Sequence, residues 1–184
     1  MAGEDIQRYK INWDGQRYVD YSPNEMKKKK TARPGEPERF EQDEKIVFQR
    51  YSSTRLIAAL DTAKFYTLGT TIIARSTSEY SNRYILGLVN SKLLSWWYGR
   101  TFTSPTNYIR EFESIPIRKI DFDNKNNKIV YDKITKSVDE KLVQKEQTIT
   151  KKINKIDEII DQLVYELYGL NKKEIKLIEE SLKN

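Results

Sequence analysis

Residues 81–100, SNRYILGLVNSKLLSWWYGR, constrain the fold of this chain more than any other segment, because their apolar residues repeat at helical spacing. Residues three or four positions apart lie along one side of a helix; here they are Ile85, Leu88, Val89, Lys92, Leu93, Trp96 and Trp97. A second stripe of small residues recurs every four positions and allows another backbone to come close: Gly87, Ser91 and Ser95. The pattern predicts one helix, capped by Ser81 and ended by Gly99, that is buried on more than one face.

The composition excludes several kinds of chemistry. The chain has 184 residues, enough for one sizeable core or for a globular body with a helical extension, and it contains neither cysteine nor histidine. Thiol nucleophiles, disulfides, zinc sites built on thiolate or imidazole, and imidazole general bases are therefore excluded. Carboxylate, lysine, tyrosine and serine side chains remain as possible reactive groups.

No apolar segment approaches the ~20 residues that a membrane-spanning helix needs. Charged residues follow Met1 and Ala2 almost at once. We therefore expect a soluble, cytoplasmic protein with no membrane partner. The string GEDIQRY at residues 3–9 is typical of the interior of a domain, so we expect Met1 and Ala2 to be additions to a fragment of a longer protein, with catalytic parts upstream.

The net charge of +6 is unevenly distributed along the chain. The stretch from Thr62 to Arg110 contains only one anion, Glu79. It contains six cations: Lys64, Arg75, Arg83, Lys92, Arg100 and Arg110. Aromatic, threonine, serine and asparagine residues lie among them. Such a mixture is typical of nucleic-acid-binding surfaces, because cations meet phosphates while amides and hydroxyls reach base edges. A basic surface over a tyrosine-rich core explains the composition equally well.

Short segments rich in β-branched and aromatic residues are candidate strands. Around the turn signal of Asp14 and Gly15, residues 9–13 and 16–21 predict a hairpin. Further candidates are residues 45–51, residues 70–75, and residues 113–120, which Pro116 places at a sheet edge or in an extended segment over the core. Residues 56–60 are a short apolar stretch between the first two. The order strand, strand, helix, extended segment predicts an α+β body packed on a central helix.

The polar turn at residues 121–128 marks a change of pattern, and we predict a globular domain at residues 1–130 and a C-terminal helical segment at 131–184. Two apolar series then repeat every seven positions, as in a coiled-coil seam: Leu142, Ile149, Ile156 and Leu163, and Ile153, Ile160 and Leu167. One long helix over residues 133–168 would be on the order of 50 Å long. Gly169 is predicted to end it, and Asn171 to cap a short terminal helix. Such a seam needs a covering helix, from an upstream domain or from a second copy of the chain.

Four strings occur in the order and spacing of a known family: GEDIQRY at residues 3–9, RPGEPERFEQDEKIVFQR at 33–50, ILGLVNSKLLSWWY at 85–98 and ESIPI at 113–117. The chain resembles the TaqI-like C-terminal specificity domain of DNA adenine-N6 methyltransferases, especially that of the fused type IIG restriction-modification enzymes. The ending at residues 160–181 is similar to the helical ending of those enzymes. The resemblance covers nearly the whole chain.

This resemblance implies a target recognition domain, which selects the DNA sequence while an upstream domain transfers a methyl group from S-adenosylmethionine. The chain lacks the family's Asn-Pro-Pro-Tyr motif and a glycine-rich cofactor loop, so we expect no catalysis and no cofactor in this part of the protein. Asp121 and Asp123 beside Lys125 suggest a metal-dependent nuclease, but a solvated turn explains them better. The parent would methylate DNA, with or without cleavage, in a phage-defence system.

A double-stranded DNA partner gives the cations defined roles. The lysine run is expected to bind phosphates, unless it is only a solvated face: Lys27, Lys28, Lys29 and Lys30. Side chains at strand ends and in polar loops are expected to contact base edges in the major groove: Arg50, Arg55, Arg75, Arg100, Arg110, Thr103, Thr106 and Asn107. A structural salt bridge or surface role is the alternative for each of them. Trp96 and Trp97 are candidates for stacking on an extruded base, but their helical phase assigns them to the core.

The alternative function is that of a helical assembly module whose basic body does not touch nucleic acid. The seven-residue repeat supports this hypothesis directly, and helix–helix self-association would follow from it. The two functions are compatible, because helical spacers position recognition domains in related specificity subunits.

Overall fold

The computed structural model describes residues 1–28, 35–51, 55–74, 76, 79–102, 109–143 and 150–182, with only the backbone of Pro23 and of residues 150–154. Strands β1 to β5 are Ile6–Gln7, Lys10–Ile11, Lys45–Gln49, Ala58–Asp61 and Thr71–Ala74. Helices α1 to α7 are Pro23–Lys28, Asn82–Val89, Lys92–Thr101, Ile109–Glu113, Lys125–Val143, Thr150–Tyr168 and Lys172–Ser181. Short 3-10 helices occupy Gly3–Asp5 and Pro37–Arg39. The predicted α+β class is confirmed.

A three-stranded antiparallel sheet in the order β4-β3-β5 separates two apolar layers. The central strand β3, which its β-branched and aromatic content predicted, has residues 45–48 buried. One face of the sheet, carrying Phe48, packs against the helices, whereas the other, carrying Val47, packs against the N-terminal hairpin. The predicted strands at 45–51 and 70–75 are confirmed as β3 and β5.

The N-terminal hairpin forms earlier in the chain than predicted. Strand β1 pairs antiparallel with β2, so the turn comprises Arg8 and Tyr9 rather than Asp14 and Gly15. Tyr9 adopts a left-handed φ of 66°, and its N–H donates to the carbonyl of Ala58 in β4 at 2.8 Å. The segment after the predicted turn forms no strand, because the pairing partner lies upstream of that turn.

The predicted central helix is divided into α2 and α3 at Asn90 and Ser91. The side-chain amide of Asn90 donates to the carbonyl of Ala58 at 2.9 Å and accepts from its N–H at 3.1 Å. These bonds satisfy backbone groups of β4, which is an edge strand of the sheet. Ser91 then caps α3 by accepting from the N–H of Leu94.

Three other sequence signals predicted the start of this helical region, its end and a close helix contact, and they are partly confirmed. Ser81 is the N-cap of α2, as predicted. Gly99 does not end α3, which continues to Thr101, because this glycine does not adopt the positive φ of a helix terminator. Gly87 does allow a close approach, since a Cβ there would lie 2.8 Å from Cγ2 of Ile134 in α5.

The C-terminal region contains two antiparallel helices where the heptad pattern predicted one continuous helix. The Nζ atom of Lys141 in α5 lies 2.8 Å from Oδ2 of Asp157 in α6, whereas the 16 positions between them would span about 24 Å in a single helix. The seam residues Ile156, Ile160 and Leu163 are buried in the main core, where α6 packs against α5 and α3. At these three residues the covering helices therefore belong to the same chain, whereas Ile149 and the side chain of Ile153 lie outside the described residues.

Both predicted signals after α6 are confirmed. Gly169 has a φ of 70° and ends α6, and Asn171 forms a capping box with Glu174 at the start of α7. None of the described helices is long and apolar enough to cross a membrane. The predicted division between residues 130 and 131 falls inside α5, and buried residues from both sides share one apolar cluster. The division into two domains stays a prediction.

The segment between α4 and α5 is extended over the core, as predicted, and three tyrosine hydroxyls hold it: Tyr80, Tyr84 and Tyr168. The hydroxyl of Tyr168 donates to the carbonyl of Pro116 at 2.6 Å and accepts from the N–H of Arg118 at 3.1 Å. Trp96 and Trp97 are half-buried against the core, which agrees with their helical phase.

Candidate nucleic-acid interface

An open groove of about 390 Å³ lies over the sheet at β5 and the end of β3. The buried side chains of Phe40 and Ile72 form its floor, whereas the exposed side chains of Arg39, Leu68 and Ile109 lie at its rim. None of the lining residues that the structure describes is acidic. The groove therefore combines an apolar floor with a rim that carries the charge of Arg39 and two exposed apolar side chains.

The loop that connects β4 to β5 is fixed by hydrogen bonds where it borders the groove. Its Thr70 accepts from the N–H of Gly3 at Oγ1 (2.9 Å) and from the N–H of Arg50 at its carbonyl (3.0 Å). The carbonyl of Leu68 accepts from both the N–H and the hydroxyl of Thr71, at 3.0 and 2.8 Å. Gly3 has to be a glycine, because a Cβ there would lie 2.4 Å from the carbonyl oxygen of Thr70.

Arg50 follows β3 directly and is oriented by this loop. Its Nη1 donates to the carbonyl of Gly69 at 3.0 Å. Its Nε is buried and has no hydrogen-bond partner among the described residues. A guanidinium carries five N–H donors, so the bond to Gly69 positions the group while leaving donors for an acceptor in the groove.

A cluster of three aromatic rings supports the floor of the groove. The ring of Phe40 stacks on that of Tyr66 with centroids 4.7 Å apart, and the ring of Tyr21 contacts both. The hydroxyl of Tyr66 donates to Glu41 at 2.5 Å, which raises the pKa of Tyr66 to about 12. Burial raises the pKa of Tyr21. Both phenols are therefore neutral at physiological pH and add no negative charge to the groove.

Among the described residues, one predicted DNA contact lines this groove and three others lie close to lining residues in the sequence. Arg50 lines it. Lys27 and Lys28 are exposed at the end of α1, directly after Met26, which also lines it. Arg110 is exposed in α4, directly after a lining residue.

Other predicted contacts lie away from the groove or outside the described residues. Arg55 donates from Nη2 to the carbonyl of Leu182, at the end of α7, at 3.1 Å. Arg100 is exposed near the end of α3 and is not among the lining residues. The following predicted contacts lie outside the part of the chain that the structure describes: Lys29, Lys30, Arg75, Thr103, Thr106 and Asn107.

Several of the cations between Thr62 and Arg110 that the structure describes are paired with acidic side chains. The pairs are Lys64 with Asp43, Arg83 with Glu44 and Asp139, and Lys92 with Asp161 and Glu179. The acids belong to residues 43–44 and to the C-terminal helices. Counting charges within one stretch of sequence therefore overestimated the basic surface in that stretch.

Three residues at the rim of the groove were not predicted as site residues from the sequence. Arg39 was named only within the string at residues 33–50 that resembles the family. Its position after two prolines is nevertheless typical of an exposed loop. Leu68 precedes a glycine between two predicted strands, which is the signal of a connecting loop. Ile109 carries no sequence signal for this role, because an apolar residue beside a polar loop usually indicates burial.

The described residues contain no group of acidic side chains that could hold a metal ion. Asp121 is exposed, and its Oδ1 accepts from the N–H of Asp123 at 3.0 Å, which is a turn contact. This geometry agrees with the solvated turn that was preferred for these residues.

The model of one protein family, the TaqI-like C-terminal specificity domain, matches residues 1–122. The matched part includes the three-stranded sheet, helices α1 to α4 and all the groove residues. No curated protein matches the chain.

Proposed function

The chain belongs to the family of TaqI-like C-terminal specificity domains, and from this premise we propose that it selects a sequence in double-stranded DNA for a methyltransferase. The family supports recognition of DNA sequence in restriction-modification systems. The observation that carries the proposal is the groove, in which Arg39 and Arg50 lie over an apolar floor without an acidic lining residue in the described chain. A positive, water-accessible groove attracts the phosphates of a duplex.

Recognition depends on two kinds of contact, one to phosphates and one to base edges. The exposed cations Lys27, Lys28 and Arg39 bind phosphates and set the register of the protein on the duplex. Arg50 donates to O6 and N7 of a guanine in the major groove, because Gly69 already orients its guanidinium. Further proposed contacts, which follow from the sequence, are Lys29, Lys30, Arg55, Arg75, Arg100, Thr103, Thr106, Asn107 and Arg110.

Catalysis belongs to the parent protein rather than to this chain. A methyltransferase domain upstream would bind S-adenosylmethionine and the target adenine, whereas this chain has neither cysteine nor histidine and no glycine-rich cofactor loop. A cytoplasmic location and a role in phage defence go with this proposal.

The assembly-module alternative rested on an uncovered seam. Ile156, Ile160 and Leu163 of that seam are buried within the chain, so they do not require a second copy. The observed packing of these three residues therefore removes the sequence argument for self-association at this part of the seam.

The test is binding of the whole chain to duplex DNA, measured by fluorescence anisotropy at several salt concentrations. The logarithm of affinity should fall with the logarithm of salt concentration by about 0.9 for each phosphate contacted. Lys27→Ala should reduce this slope by about 1 and weaken all sequences equally, whereas Arg50→Ala should lose about 1 to 3 kcal/mol and relax preference at one base pair.

Lys173→Ala is the matched control, because Lys173 is an exposed cation in α7, a helix that contributes no described residue to the groove. It should leave both affinity and slope unchanged. Binding without any salt dependence would refute the proposal and favour the assembly function.

A further inference from the structure

Two large apolar side chains are exposed beside the arginines at the rim of the groove. The exposed fraction is 47% for Leu68 and 60% for Ile109. A single exposed apolar residue is ordinary on a protein surface. These two line the same groove as Arg50, so one ligand in the groove would meet both exposed apolar side chains and a positioned hydrogen-bond donor.

The backbone holds Leu68 in its exposed position. Its N–H donates to the carbonyl of Met1 at 2.9 Å, and its own carbonyl accepts twice from Thr71. The loop therefore cannot move to bury this side chain in the core without breaking these bonds.

Helix α4 fixes Ile109 in a similar way. Two residues further along, the buried carboxylate of Glu111 accepts from the hydroxyl of Tyr98 at 2.9 Å. Phe112 packs edge-to-face on Phe48 of the central strand, with ring centroids 4.8 Å apart. The exposed side chain of Ile109 therefore extends from a helix that is anchored to the core.

The chemistry of base edges identifies what these side chains contact. In the major groove every base offers hydrogen-bonding atoms, and thymine alone among the four unmodified bases adds an apolar group, its C5-methyl. The arginines and the lack of a described acidic lining residue make the groove complementary to DNA rather than to an apolar protein segment. We infer that Leu68 and Ile109 read a thymine methyl group beside the base pair contacted by Arg50. This inference rests on the proposed function.

Replacement of thymine by uracil tests it, because uracil has the same hydrogen-bonding edge and lacks the methyl group. The bound sequence is first selected from a random duplex library with the whole chain, and each selected thymine is then replaced in turn. At one or more positions the replacement should weaken binding about four-fold, the equivalent of ~0.8 kcal/mol for one buried methyl-sized group. With Leu68→Ala or Ile109→Ala the thymine-to-uracil ratio at that position should fall to about one.

Leu177→Ala is the control, because Leu177 is 57% exposed in α7, outside the lining residues of the groove. It should keep the four-fold ratio. All three truncated side chains are exposed, so thermal unfolding followed by circular dichroism should be unchanged in each variant.

Distinct results separate the two proposals. A selected sequence without thymine, affinities insensitive to uracil at every position, or a ratio that survives both groove substitutions would overturn the inference and leave DNA recognition standing. Failure to select any sequence would refute the proposed function itself, and the inference with it.

Discussion

Lys45 and Asp61 form an ion pair in which both side chains are 0% exposed and the Nζ and Oδ2 atoms are 2.5 Å apart. The two residues lie opposite each other in β3 and β4. Lys45 also donates from Nζ to the carbonyl of Phe40, at the floor of the groove, at 2.7 Å. The carboxylate of Asp61 accepts from the N–H groups of Ala63 and Phe65 at 2.8 and 3.0 Å. This network joins the sheet to the loop that carries Arg39.

Lys45→Met removes the ammonium group and keeps most of the side-chain volume. The carboxylate of Asp61 is then left buried without its counter-charge, and such losses lower the free energy of unfolding by about 3 to 5 kcal/mol. This is a large part of the roughly 5 to 15 kcal/mol typical of a folded domain. Adding Asp61→Asn removes the stranded charge while keeping an oxygen that accepts a backbone N–H, so the double variant should be more stable than Lys45→Met alone.

Urea unfolding followed by tryptophan fluorescence and circular dichroism gives the free energies by linear extrapolation. The two single variants and the double variant complete a cycle, and the coupling energy should reach about 2 to 3 kcal/mol, the upper part of the range for residues in contact. A loss below about 1 kcal/mol in Lys45→Met, or additive losses in the double variant, would show that the pair does not act as a coupled buried unit.

Three further substitutions test the packing and capping. Gly87→Ala places a methyl group 2.8 Å from Cγ2 of Ile134. The overpacking should lower the free energy of unfolding by about 1 to 3 kcal/mol, which exceeds the gain of about 1 kcal/mol from helix propensity. An increased melting temperature would contradict this prediction. Tyr168→Phe removes the hydroxyl that donates to Pro116 and should lower stability by about 1 to 2 kcal/mol in urea unfolding, whereas an unchanged midpoint would show that these bonds contribute nothing. Asn171→Ala removes the cap of α7 and should lower stability by about 0.5 to 2 kcal/mol, with a loss of helical circular dichroism, while Asn171→Ser should be nearly neutral.

The elements that sequence predicted correctly are those governed by neighbouring residues. Residues 45–49 form a strand because β-branched and aromatic side chains suit a pleated, buried surface. Ser81, Gly169 and Asn171 act at helix ends through bonds or backbone angles within a few positions. The break at Asn90 could not be predicted in this way, because the apolar spacing continues through it and its cause, the backbone of Ala58, lies 32 positions away.

At the candidate site, too, features set by neighbouring residues were predicted from the sequence and features set by remote residues were not. Arg50 was predicted as a DNA contact from its place at a strand end, and the structure adds the carbonyl of Gly69 that orients it. Leu68 and Ile109 were missed, because nothing local distinguishes an exposed apolar residue from a buried one. Arg83 was counted as a surface cation, although Glu44 and Asp139 neutralise it from 39 and 56 positions away.

The sequence by itself determined the α+β class, the family, the strands β3 and β5, the helix-end signals at Ser81, Gly169 and Asn171, and the exclusion of thiol and imidazole chemistry. Only the tertiary structure decided that Ile156, Ile160 and Leu163 of the heptad seam are covered from within the chain, that Lys64, Arg83 and Lys92 are paired with acids, and that one groove collects Arg39, Arg50 and two exposed apolar side chains. The physical reason is distance along the chain. Caps and strand propensities act between neighbours, whereas burial and ion pairing depend on which remote segments meet, and those meetings follow from packing the whole core.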